Sequence, residues 1–273
     1  MLSANYRQLS AYILLPFLEQ QALYNSINQN LTVLGIENQT IHHVSVTAFA
    51  CPSDPDSGHP RNLPSGALAP YGVTDPPGAR SQMVFASYGG CVGSTLTTAL
   101  PLPGACQVDP MSIAQNNGVF NDVGPITIAS VTDGLNSTIF VVEKSTTALR
   151  NLDALGPEQS SERGWYITGN WGDTLASSFY PPNAYKTVGL TAAEAQYASA
   201  SSLHPSGFHA LMGDGSVHFL KETLESWSFD PSTGYPVGAS RTPVGWWANL
   251  PRPGVWQNMS TRSGAEVVGA ELY

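Results

Sequence analysis

Alternation of apolar and polar positions is legible only in short stretches of this chain, separated by sequence rich in Gly and Pro. From Tyr12 to Asn28 the residues Phe17, Leu18, Tyr24 and Ile27 form an apolar stripe and Pro16 suits a first helical turn, which predicts a helix. Val44–Phe49 and Met83–Tyr88 read as strands. Ile126–Val131 and Thr138–Val142 are rich in β-formers on either side of Thr132-Asp133-Gly134-Leu135-Asn136-Ser137, and predict an antiparallel pair.

The clearest local signal runs from Phe208 to Phe219. A two-residue turn at Asp214-Gly215 would oppose Met212 to Val217, Leu211 to His218 and Ala210 to Phe219. One face would then be apolar (Phe208, Ala210, Met212, Val217, Phe219), and the other would carry His209, Leu211, His218 and Leu220. Lys221–Trp227 predicts a further short helix. Residues 156–200 are irregular and aromatic, and are expected as an insertion over the sheet within one domain spanning 1–273.

Composition narrows the classes. The chain has 26 Gly and 21 Pro among 273 residues, which favours turns and extended backbone over long helices. Charged residues are 11%, against about 25% in an average domain. With 11 cations and a net charge of -9, nucleic-acid binding is excluded as a leading function. No apolar run in this chain has the length of a membrane span. A polar but uncharged surface is expected, as is common outside the cytoplasm. Met1–Arg7 lacks the basic start and apolar core of a signal peptide.

Three cysteines are present, Cys51, Cys91 and Cys106, with no Cys-x-x-Cys to make a paired-thiolate zinc site or a thioredoxin-like motif. Cys91 and Cys106 flank a Gly/Pro-rich stretch and are expected to close a disulfide loop worth about 3 kcal/mol in an oxidising compartment, the alternative being three buried thiols.

Four constellations bear on chemistry. His204, His209 and His218, with Asp214 nearby, offer nitrogens and a carboxylate for Zn or a similar cation; the alternative is ordinary hydrogen bonding and no cofactor. Glu143 follows Phe140-Val141-Val142 and should be partly buried, which suits a general acid; Glu19, Asp133, Asp173 or Asp214 would be its partner in glycoside hydrolysis, Asp214 being the one carried forward. Gly89-Gly90-Cys91-Val92-Gly93-Ser94 has the look of an oxyanion loop, but Gly-x-Ser-x-Gly, Walker A and Gly-x-Gly-x-x-Gly are all missing. Trp165, Tyr166, Trp171, Trp246 and Trp247 lie in segments expected to be exposed and would suit the faces of a glycan or surface polymer; core packing is the competing account.

Leu14–Asn25, Phe49–Pro55, Ala86-Ser87-Tyr88, Val131–Gly134 with Val142-Glu143, His204 with Asp214-Gly215, and Gly264–Val268 occur in this order. Together they resemble a bacterial prepilin-like family with a C-terminal signature of His, nine residues and Asp-Gly. The resemblance implies an α+β, pilin-like head in which an N-terminal helix packs on an antiparallel sheet with long loop insertions. It also implies a secreted or surface-displayed pseudopilin-like binding or structural module, related to type II secretion pseudopilins and type IV pilins. The family's leader and long apolar helix are not found in this chain, and Cys51 is expected to be free because its partner would lie on that helix. The alternative function is a secreted carbohydrate-active hydrolase using Glu143 and a second acid.

Overall fold

The computed structural model describes residues 11–97, 108–121 and 124–264. The architecture is α+β, with antiparallel-rich sheets and short helical segments. The strands are β1 (Arg61–Asn62), β2 (Gln82–Met83), β3 (Tyr88–Cys91), β4 (Ile139–Glu143), β5 (Leu175–Ala176), β6 (Gly207–Met212), β7 (Val217–Lys221), β8 (Ser240–Arg241) and β9 (Trp247–Ala248). Five of them form one sheet in the order β5-β3-β4-β6-β7, antiparallel except for the β3–β5 pair. The other four make two-stranded ribbons, β1-β2 and β8-β9.

The α-helices are single turns or little more: α1 (Gln21–Ser26), α2 (Gln39–His42), α3 (Pro110–Gln115), α4 (Ala193–Ala198) and α5 (Val255–Asn258). The helix expected over Tyr12–Asn28 is two pieces, a 3-10 segment Ala11–Leu18 and then α1. Glu19 separates them with φ +60, left-handed backbone that no helix contains. Pro16 sits inside the 3-10 segment, where its missing N–H works against regular α-helical bonding. Tyr12 and Leu15 are buried, whereas Phe17 is 82% exposed.

Several strand expectations are corrected. Ile126–Val131 does not pair with Thr138–Val142: it holds a 3-10 turn, Ile128–Ser130, and β4 pairs instead with β3 and β6. Val44–Phe49 holds a 3-10 turn over Thr47–Phe49. Met83–Tyr88 touches the ends of two strands, β2 and β3, with no continuous strand between them. Lys221 ends β7, and no helix follows before Trp227. Residues 156–200 supply an edge strand, β5, to the main sheet.

The hairpin is shifted by one residue from the expected register. Leu211 opposes Val217, Ala210 opposes His218, His209 opposes Phe219 and Phe208 opposes Leu220. Met212 and Ser216 close a three-residue loop, Gly213-Asp214-Gly215, with bonds Met212 N–H to Ser216 O at 2.8 Å and Gly215 N–H to Met212 O at 3.1 Å. Gly215 takes φ +89, the left-handed position that ends such a loop. The extra residue exchanges the faces of β7. Phe208, Ala210, Met212 and Leu220 now face the core, and Leu211, Val217 and Phe219 join His209 on the other side.

Three apolar clusters lie around the main sheet. One gathers Leu15, Ile41, Leu63, Met83, Phe85 and Tyr166. A second backs the sheet with Ile139, Val142, Phe208, Met212, Leu220 and Trp256. A third centres on Phe179, Tyr180, Trp227 and Trp247. The low charge of the chain has a structural use: uncharged polar side chains are buried among the loops and satisfy their backbone groups. Gln257 illustrates this, donating to Ser178 O at 2.8 Å while accepting from the Gly254 N–H at 3.1 Å.

Candidate functional site

Alternation along β4 points Val141 and Glu143 to one face of the sheet, together with His209 and Leu211 of β6 and Tyr88 of β3. That face opens into a groove of about 670 Å³. Ile13, Leu14 and Leu18 of the N-terminal 3-10 segment, Phe49, Leu211 and Val217 give it apolar walls. Cys51, Tyr88, Glu143, His204 and His209 also line it.

Glu143 is buried at the centre of these polar groups. Its Oε2 accepts the backbone N–H of His209 at 2.8 Å. Its Oε1 lies 3.3 Å from His204 Nε2 and 3.3 Å from His209 Nδ1, and accepts from Cys51 Sγ at 3.9 Å. The two imidazoles meet edge to face with centroids 4.9 Å apart. Burial first, and then the neighbouring Cys51 and Glu143, push the Tyr88 phenol up to about 12, so it stays neutral and protonated.

Local bonding ties the three segments together at the end of β4. Cys51 O accepts the Asp54 N–H at 3.0 Å, and Asp54 in turn accepts the N–H groups of Thr146 at 2.6 Å and Thr147 at 3.1 Å. The Cys51 turn is thereby fastened just past Glu143. The His204 loop is fastened to the same place: Ser201 N–H donates to Glu143 O at 2.9 Å, and Ser201 Oγ accepts the Ser145 N–H at 2.9 Å. His204 N–H then donates to Ser202 Oγ at 3.2 Å.

The next residue faces the other way. Lys144 is buried behind the sheet, its ammonium donating to the carbonyls of Gly172 at 2.7 Å, Asp173 at 2.8 Å and Leu175 at 3.0 Å. Burial pulls it down to about 7 against the opposing pull of Asp173. Asp173 is itself pushed up by burial, and accepts the Gly164 N–H at 2.8 Å and the Thr168 hydroxyl.

Of the expected metal set, the structure unites His204 and His209 and separates His218. The register shift puts His218 on the opposite face of the hairpin, where Nε2 lies 3.0 Å from Ser216 Oγ. Asp214 is not beside Glu143. It sits in the hairpin loop, accepting from Ser216 N–H at 2.9 Å and Ser216 Oγ at 2.7 Å, at the far end of the five-residue strand β4. At about 3.3 Å per residue that is a separation on the order of 15 Å, beyond the spacing of a glycosidase pair. Those Ser216 bonds hold the Asp214 carboxyl below the usual range. Asp173 is held behind the sheet with Lys144, and Asp133 accepts from Thr261 Oγ1 and Gly264 N–H.

The aromatic platform is also corrected. Trp165, Tyr166 and Trp247 are buried, with their polar ends donating to Ser161 O, Ile41 O and Leu96 O respectively. Trp171 and Trp246 are half-buried. The buried rings pack into the apolar clusters beside the sheet, Trp165 and Tyr166 with Phe49 and Phe85, and Trp247 with Phe179. Gly89–Cys91 belongs to β3 and makes no oxyanion loop. Cys91 is a free buried thiol donating to Ser260 O at 3.8 Å, and burial pushes it up to about 12. Its expected partner, Cys106, lies outside the described residues. Cys51 is a buried thiol that pairs with no other cysteine among the described residues. Its meeting with Glu143 and His204 was not legible in the sequence, because these neighbours in space come from distant segments.

The fold and this face define a small-sheet α+β protein with an apolar groove and a buried carboxylate among two histidines and a thiol. A family described as a protein of unknown function (DUF1559) matches residues 3–226, and the chain belongs to that family. It is a bacterial family whose members are commonly pilin- or pseudopilin-like. No curated protein and no solved structure matches the chain. No helix among the described residues is long and apolar enough to cross a membrane.

Proposed function

We propose that this chain is the displayed head of a pseudopilin-like protein, held outside the cytoplasm, and that it works as a binding or scaffold module. The observation that carries this reading is the groove, in which Ile13, Leu14, Leu211 and Val217 leave apolar surface open to solvent on the polar-rimmed face of the sheet. Exposed apolar side chains gathered in one concavity mark a contact surface. The hydrolase alternative has weaker support: among the described lining residues no second carboxylate accompanies Glu143. The burial of Trp165, Tyr166 and Trp247 likewise favours an apolar ligand over a sugar.

Protease treatment of intact producing cells tests display: the head should be digested without lysis, and protection until lysis would overturn it. An environment-sensitive apolar dye tests the groove. The purified chain should bind it, and Val217→Asp with Leu211→Asp should weaken that binding while the fold persists. Nitrophenyl glycosides and esters should be left unchanged. Turnover that disappears in Glu143→Gln would make the protein an enzyme.

A further inference from the structure

We propose that Cys51, Glu143 and His204 form a binding site for a single zinc-like transition-metal ion, with its open coordination position facing the groove. The proposal stands independently of the display reading. The three ligand atoms, Cys51 Sγ, a Glu143 carboxylate oxygen and a His204 ring nitrogen, all lie within 4.8 Å of one another. Two edges of this triangle are 3.3 Å (His204 Nε2 to Glu143 Oε1) and 3.9 Å (Cys51 Sγ to the same oxygen). Around a tetrahedral zinc with bonds of about 2.0–2.3 Å, neighbouring ligand atoms stand about 3.3–3.8 Å apart. Two edges of the triangle are therefore close to the size the ion requires, and the third is no longer than 4.8 Å.

The donor set selects the metal. A thiol, an imidazole and a carboxylate together suit a borderline ion such as Zn²⁺ or Co²⁺, whereas Mg²⁺ and Ca²⁺ call for oxygen ligands. Cys51 would bind as the thiolate, releasing its proton to solvent, with the imidazole neutral and the carboxylate ionised. Three protein ligands leave a fourth position for water or for a donor on whatever enters the groove.

The supporting groups are in place. The His209 N–H holds Glu143 Oε2 at 2.8 Å, fixing the carboxylate so that Oε1 meets Cys51 and His204. His209 Nδ1, 3.3 Å from Oε1, stands beside the site. Asp54 anchors the Cys51 turn, and Ser201 anchors the His204 loop, both to the backbone around the end of β4. Cys51, Glu143 and His204 all line the groove, which is the entry path.

The test is titration of the chelator-stripped, reduced chain with Co²⁺ and then Zn²⁺, followed by absorbance and calorimetry. One ion per chain is expected, with a thiolate-to-cobalt charge-transfer band and the visible bands of tetrahedral cobalt, both removed by Zn²⁺. Cys51→Ser should abolish the charge-transfer band. Glu143→Gln and His204→Gln should each weaken binding at least tenfold while circular dichroism reports an unchanged fold. His218→Gln, on the opposite face of the hairpin, should leave both bands and affinity unchanged. Zn²⁺ should also slow labelling of Cys51 by a thiol reagent, a readout that does not require any variant to fold. Absence of the band, a band that survives Cys51→Ser, or Cys51 labelling indifferent to Zn²⁺ would each overturn the proposal.

Discussion

Glu143 and Lys144 are neighbours at the end of β4, both buried and both charged types, and the alternation of the strand sends them to opposite faces of the sheet. Lys144 is met by three backbone carbonyl oxygens within hydrogen-bonding distance. Glu143 is met by a backbone N–H, two imidazoles and a thiol, on a face that opens into a groove. The first environment surrounds the lysine with backbone acceptors and shuts it in. The second leaves side chains able to change partner, which is the property a binding site needs. Burial alone therefore does not separate a structural charge from a functional one; the chemistry of the neighbours does.

The largest expected effect breaks the closed side of this comparison. Lys144→Met strips three buried carbonyls of their donor and should cost about 3 kcal/mol in denaturant unfolding, with the groove site's metal binding retained in the folded fraction. The cost should also depend on pH. The unfolded chain keeps this proton up to 10.5, whereas the native state releases it above about 7. Between those values the unfolded state binds more protons, so the wild type gains stability as pH rises. The gap between wild type and Lys144→Met should widen from pH 7 to pH 9; a constant gap would mean that Lys144 stays charged in the fold.

Gly89→Ala presses on the same side from β3. A Cβ there would stand 2.6 Å from Lys144 Cδ and 3.3 Å from the Leu175 carbonyl carbon, so the lysine stem must shift. A loss of about 1–3 kcal/mol is expected, again read by denaturation. Glu143→Gln should do the reverse: a stability change of about 1 kcal/mol or less, since the amide oxygen still accepts the His209 N–H, but loss of metal affinity. If Glu143→Gln instead cost as much as Lys144→Met, the two faces would be equally structural. Val217→Ser, at a position 62% exposed on the groove wall, should change stability by about 0.5 kcal/mol or less and show its effect only in dye binding.

Local signals in the sequence located several parts of this picture. Glu143 stood out as a carboxylate closing an apolar strand, and β4, β6 and β7 lie within a residue or two of where the pattern put them. His204 and His209 are ligand candidates by residue type and sequence proximity, and their rings meet. The failures share one cause. A two-residue turn and a three-residue loop both fit Gly213-Asp214-Gly215, yet they place His218 on opposite faces, and only the packing of Leu220 under Phe208 selects between them. Trp165, Tyr166 and Trp247 sit in Gly- and Asn-rich sequence that looks exposed, and they are buried because they join apolar clusters built from segments distant in sequence.

The amino-acid sequence by itself determined the hairpin and its Asp-Gly loop, the strand that presents Glu143, and a composition in which uncharged polar side chains take over the bonding of irregular backbone. These follow from interactions between residues close along the chain. The tertiary structure decided which face each histidine occupies, that Cys51 meets Glu143 and His204, and that Asp214 stands apart from them. Those depend on register and on contacts between segments far apart in sequence, where a single added loop residue turns a side chain from one face of the sheet to the other.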